Sequence, residues 1–283
     1  MATMEAILPR SATSAPVDPT SLARRVEQTM LAALGIQFAF LMPSVAAYLI
    51  DERLLYGISV WSKPIKFQLS LILLYLTLLW LLPLIDARTR GGRVARATTV
   101  VLAVATTLEI AYITLQAARG TASHFNTGTP REAMLYQLMG LGAVAIVVAA
   151  FVFGYLILRH GRAGTGDGFR LGAAAGLMLG AVLTLVTAGI LASGAIDGAG
   201  HWVGGDRSDA GGLFLLGWSR TGGDLRVPHF FATHIMQALP LLGLLLDRFR
   251  PGAARTGLAI GAVLSILVVA ATLLQAVSGR PFL

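Results

Sequence analysis

Glu109 lies about halfway along the apolar stretch ATTVVLAVATTLEIAYITLQAARG. A carboxylate at that depth in a bilayer costs a few kcal/mol, so it belongs inside a helix bundle, facing a partner. Helical spacing sets Thr106, Glu109, Tyr112 and Gln116 on one polar stripe. A second group, RVPHFFATHIMQ, carries His229, Thr233, His234 and Gln237, with Pro228 suited to a first helical turn. At about 1.5 Å per residue, His234 is expected about 9 Å below the outer end of its helix and Glu109 about 15 Å below its own. Two side chains can close that gap. Glu109 and His234 are therefore expected to pair, directly or through one water, as an acid/base couple or proton relay. Gln37, Gln116, Gln137 and Gln237 are expected to line the surrounding cavity. The structural alternative is a protonated Glu109 bonded to a carbonyl and serving helix packing alone.

The stretch WSKPIKF holds Lys63 and Lys66, the only lysines among 22 Lys and Arg residues. Lysine offers a compact charge in place of the planar guanidinium fork. Lys63 and Lys66, with Ser70, are expected to look into the same outer cavity; the competing reading is interfacial snorkelling beside Trp61. Lys63, Lys66, Arg119 and Arg226 would then form a cationic rim above Gln116 and Gln237, suited to a carboxylate, a phosphate or a haem propionate. With no cysteine in the chain, the remaining strong ligands for haem b or a divalent metal are His124, His229 and His234. His229 and His234 are five apart, roughly 140° around a helix, which argues against both binding one ion. Neither HExxH nor HxxxH spacing occurs, so a zinc hydrolase is a poor fit.

These groups must be carried by a membrane bundle. The chain is 55% hydrophobic and 13% charged, with a mean hydropathy of +0.73, values outside the range of ordinary soluble domains. Seven apolar segments long enough to span a bilayer are expected near 29–50, 64–85, 97–118, 133–158, 171–195, 228–247 and 256–277. The fold class is all-α, a polytopic bundle of seven transmembrane helices in a single domain over 28–283. Residues 1–27 are expected to be a disordered cytoplasmic tail. Thirteen basic and six acidic residues fall in the tail and alternate short loops, against nine and eight elsewhere. The positive-inside rule then puts the N-terminus in the cytoplasm and the C-terminus outside, as in a cell inner membrane. The net charge of +8 is explained by topology and calls for no nucleic acid.

The inner loops are little but Arg and Gly, whereas the outer ones carry aromatics, His and mixed charge. The outer loop at 194–227 has ten glycines from Gly194 to Gly223 and the apolar piece LFLLGW, which is expected to fold back on the bundle as a lid. The stretches WSKPIKF, QAARGTASHFN and DLRVPHFFATH resemble a family of bacterial multi-pass membrane proteins, a resemblance that brings no substrate or cofactor with it. The seventh span has no lysine of the retinal-binding kind.

Three functions are compatible with this pattern. The first is a one-sided site that binds or transforms an anionic or amphipathic small molecule, with or without haem or a metal. The second is a proton-coupled transporter or channel gated by Glu109. The third is a sensor or assembly partner of another membrane protein. The inner helical halves are almost wholly apolar, which favours binding or catalysis over passage. Expected partners are the lipid bilayer and the anionic ligand, with homo-oligomerisation left open.

Overall fold

The computed structural model describes residues 19–283. In chain order it contains α1 (Pro19–Ile50), β1 (Leu54–Leu55), β2 (Ile58–Ser59), α2 (Ser62–Leu81), α3 (Ala87–Arg90), α4 (Arg93–Ala118), α5 (Pro130–Arg159), α6 (Asp167–Ser193), β3 (Trp202–Val203), β4 (Gly223–Asp224), α7 (Arg226–Phe249) and α8 (Ala254–Val277). All except α3 among the helices are long and apolar enough to cross a membrane, which gives the seven expected spans. Many of their large apolar side chains are exposed, among them Met42, Leu108, Leu141 and Leu274. Such helices are stable where lipid covers those faces and the backbone hydrogen bonds are closed within each helix.

The first helix is longer than expected. Residues 19–27 belong to α1, where Ala23, Val26 and Met30 form a buried face while Arg24, Arg25 and Glu27 stay exposed. The charges made this stretch read as tail, but they occupy only the outer side of an amphipathic turn. The expected tail over 1–18 lies outside the described residues.

Small residues set the tightest helix pair. Gly168, Gly172, Gly176 and Gly180, four apart on α6, all face α7: a Cβ on Gly172 would sit 2.5 Å from the Leu239 carbonyl oxygen, and one on Gly176 would sit 2.7 Å from Cδ of Pro240. Close backbone approach over small residues is how helices gain van der Waals contact in lipid, where no hydrophobic force draws them together. At the inner end of this seam Asp247 caps its neighbour, its carboxylate accepting from Gly168 N (2.8 Å) and Phe169 N (2.7 Å) at the start of α6. Helix α5 has its own cap, with Thr129 Oγ1 accepting from Glu132 N at 3.2 Å and donating to Glu132 Oε2 at 3.0 Å.

The inner half is sealed by one apolar cluster that includes Leu78, Leu81, Leu84, Ile85, Leu102, Phe153 and Leu177. At the outer end the connections are folded against one another. Strands β1 and β2 make a hairpin whose turn residues Tyr56 (φ 54°) and Gly57 (φ 81°) both take the left-handed conformation that tight hairpins require. The long loop over 194–225 is pinned by β3 pairing with β4 and by Asp209 N donating to the Tyr56 carbonyl at 2.8 Å.

Candidate functional site at the outer ends of the helices

The α4 stripe is buried as expected at Thr106, Glu109 and Gln116. Thr106 Oγ1 lies 2.7 Å from the hydroxyl of Tyr75 on α2, a fully buried tyrosine. Glu109 faces α5, where the missing side chain of Gly142 makes room for it: a Cβ there would lie 2.8 Å from Glu109 Oε1. That oxygen has no hydrogen-bond partner. Two further buried amides face the same problem, since both side-chain atoms of Gln37 and Oε1 of Gln68 are unpartnered, while Gln68 Nε2 donates to Ser44 Oγ at 2.9 Å. Unmatched polar atoms in an apolar interior are costly and mark a place where water or a ligand group belongs.

His234 is elsewhere. Its Nδ1 donates to the Phe230 carbonyl at 2.8 Å on its own helix, and its ring lies on Phe230 with centroids 3.9 Å apart. No hydrogen bond or ion pair joins it to Glu109, so the expected direct pair is not made. Helical depth placed the two residues at compatible levels, but α4 packs on α1, α2 and α5, whereas α7 packs on α6 and α8. Gln237, one turn below His234, instead reaches Thr77 on α2 at 2.9 Å. Gln137 and Ser70 are exposed and line nothing.

The histidines are also dispersed. His229 Nδ1 is 3.2 Å from Thr187 Oγ1 on α6. His124 Nδ1 is 3.1 Å from Ser123 Oγ, and its ring packs among Phe67, Phe125 and Tyr136. Burial drives the His124 pKa well below the usual histidine value, and the nearby Lys63 charge adds to this, so the imidazole is neutral at neutral pH. Among the described residues no three His, Asp or Glu side chains gather as a metal would require. His124, His229 and His234 therefore do not come together as one ligand set for a metal ion.

The cationic rim divides by partner. Arg119 is exposed and donates to Gln116 Oε1 at 2.8 Å. Lys66 Nζ donates to the Leu216 carbonyl at 3.0 Å. Arg226 holds the lid from three directions, donating to Gly217 O (2.6 Å), Asp209 Oδ1 (2.8 Å) and Asp224 Oδ2 (2.6 Å). His201 Nε2 adds a fourth link by donating to Asp209 Oδ1 at 3.0 Å. Burial opposes ionisation of Asp209, but the bonds from His201 and Arg226 outweigh it and hold the carboxyl below its ordinary pKa. Burial lowers the His201 pKa, only partly offset by Asp209.

Lys63 alone stays free. It makes no hydrogen bond or ion pair among the described residues; its Nζ lies 5.9 Å from the Phe67 ring centroid and within Coulombic reach of Arg226, Asp209 and Glu109. The lid acids that could neutralise it are already bonded to Arg226 and His201.

The chain matches no protein family, curated protein or solved structure.

The clasp of Asp209, Asp224 and His201 was not singled out from the sequence, where they appeared only as mixed charge in a glycine-rich loop. Their one sequence signal is an acid two residues before Arg226 in DLR. The apolar piece LFLLGW does fold back, but only in part: Trp218 is buried against Phe230 and Phe282 (centroids 5.3 Å in both cases), while Phe214 and Leu215 point outward, 86% and 75% exposed. Two shallow surface concavities, one on α8 lined by Ala259, Ile260, Val263 and Leu264 and one on α1 lined by Arg25, Gln28, Thr29 and Ala32, lie away from all these groups.

Proposed function

We propose that this membrane protein binds an anionic, amphipathic small molecule at Lys63, on the outer side, beneath the loop over 204–225. The observation that carries this reading is a cation left without a partner where every neighbouring acid of the lid is engaged. A carboxylate or phosphate would supply the missing counter-charge. Deeper in the bundle, Gln37 on α1, Gln68 on α2 and Glu109 on α4 offer unpartnered polar atoms to the uncharged part of the ligand. The ligand would enter by movement of the lid or along the bilayer. The apolar seal at the inner end favours binding over passage.

The test uses purified protein in mild detergent, with decanoate and decanol as matched probes. Decanoate is expected to raise the thermal midpoint and decanol is not, with the difference lost in Lys63→Met. Equal responses to the two probes, or a decanoate shift that survives Lys63→Met, would overturn the reading. Uptake of decanoate into liposomes that depends on Glu109 would replace binding by transport.

A further inference from the structure

The tip of the outer loop is a built turn, not a slack one. Gly217 N donates to Leu213 O at 2.6 Å and Leu213 N donates to Trp218 O at 2.8 Å. The Leu216 and Gly217 carbonyls are held by Lys66 and Arg226. On one side Trp218 anchors the turn in the aromatic cluster with Phe230 and Phe282. Yet Phe214 and Leu215, two large apolar groups at the tip, are 86% and 75% exposed. Leu215 also has φ 65°, a left-handed conformation that glycine adopts far more easily. A rigid turn that presents two apolar side chains to water, one from a disfavoured backbone, is unfavourable unless something apolar covers them.

The position of Lys66 identifies the cover. Lys66, Leu69, Leu73, Leu76 and Trp80 follow one another at steps of three and four along one side of α2, and the four below Lys66 are 52%, 37%, 49% and 40% exposed. That stripe faces lipid, as apolar exposure on a membrane-spanning helix demands. Lys66, at its outer end, holds the backbone of the tip. The residue next to Leu215 is therefore fastened at the outer end of the lipid-facing side of α2, the level at which aromatic and apolar groups enter the interface.

We propose that Phe214 and Leu215 are an interfacial anchor that inserts into the outer leaflet, with Lys66 holding it at the lipid boundary. This holds whatever the site below binds, since it rests on exposure and position alone.

Because the chain has no cysteine, Phe214→Cys gives a single labelling site, as does Arg220→Cys on the same loop. Each full-length variant is labelled with an environment-sensitive fluorophore in phosphatidylcholine nanodiscs. At position 214, nitroxide placed high on the acyl chain is expected to quench several-fold more than aqueous iodide, and at position 220 the order is expected to reverse. Adding Lys66→Met should lower the nitroxide quenching at 214, and Leu215→Cys should repeat the pattern should Phe214→Cys express poorly. Iodide reaching 214 as readily as 220 would overturn the proposal. So would protection of 214 from both quenchers, which would mean that a second copy or another protein covers the tip. Unchanged quenching in Lys66→Met would remove Lys66 from it.

Discussion

Lys66 and Arg226 grip adjacent carbonyls of one turn, Leu216 at 3.0 Å and Gly217 at 2.6 Å, from the starts of two helices that are not packed side by side. The lid thereby bridges α2 and α7 at their outer ends, while the bond from Gln237 to Thr77 bridges them in the interior.

Loss of the arginine should release the lid. In Arg226→Met the buried carboxylates of Asp209 and Asp224 would lose their main counter-charge, a change that typically costs about 3–5 kcal/mol. The expected outcome is a lower thermal midpoint with proteolytic cleavage confined to 204–223. Arg226→Lys should recover only part of this, since one ammonium cannot reach both acids and the Gly217 carbonyl.

Acid should loosen the lid and the α4–α5 connection. His201 and His124 both have pKa values lowered from 6.5, so the unfolded chain takes up protons below pH 6.5 that the folded state resists. Stability contributed by their neutral forms is present above that pH and is lost as the pH falls below it. Asp209, with its own pKa lowered from 3.8, adds a further loss at lower pH. Arg226 and Asp224 also face His201, and Lys63 faces His124. Melting curves between pH 7.5 and about 5 should show the decline, and it should be shallower in His201→Gln and His124→Gln.

The α6–α7 seam should tolerate no added bulk. Gly172→Leu drives a side chain into the Leu239 carbonyl and is expected to abolish folded yield, whereas Gly189→Ala, with open space around it, should be neutral or stabilising by about 0.5–1 kcal/mol. Asp247→Ala, by removing the cap on α6, should cost about 1 kcal/mol. Folded yield checks Gly172→Leu and reversible unfolding in mixed micelles checks the other two; a folded Gly172→Leu would show that the seam is looser than the close approach of Gly172 to Leu239 implies.

Glu109 and His234 should behave independently. With no bond between them, the stability changes of Glu109→Gln and His234→Ala are expected to add within about 0.5 kcal/mol in the double variant. A larger coupling energy would restore the pair that helical depth suggested.

How far the site could be read from sequence depended on the residue. The burial of Glu109 was legible because a mid-span carboxylate has to be enclosed, and the special standing of the lysines was legible from composition. Lys66 nevertheless fastens the lid through the Leu216 carbonyl while Lys63 makes no such bond: three positions apart the two share a side of α2, and which of them a lid carbonyl meets is set by the path of the loop, which helical spacing does not encode. A direct bond between Glu109 and His234 is not made, because depth along a helix says nothing about which helices are neighbours.

The sequence by itself determined the seven spans and, with them, the alternation of the connections between the two ends of the bundle. These follow from transfer free energies, which are local sums over residues. Tertiary structure alone decided which helices meet, that Gly142 opens space for Glu109, and that Asp209, Asp224 and His201 close on Arg226. Those contacts join residues far apart in the chain, and only the close approach of backbones over small side chains selects them.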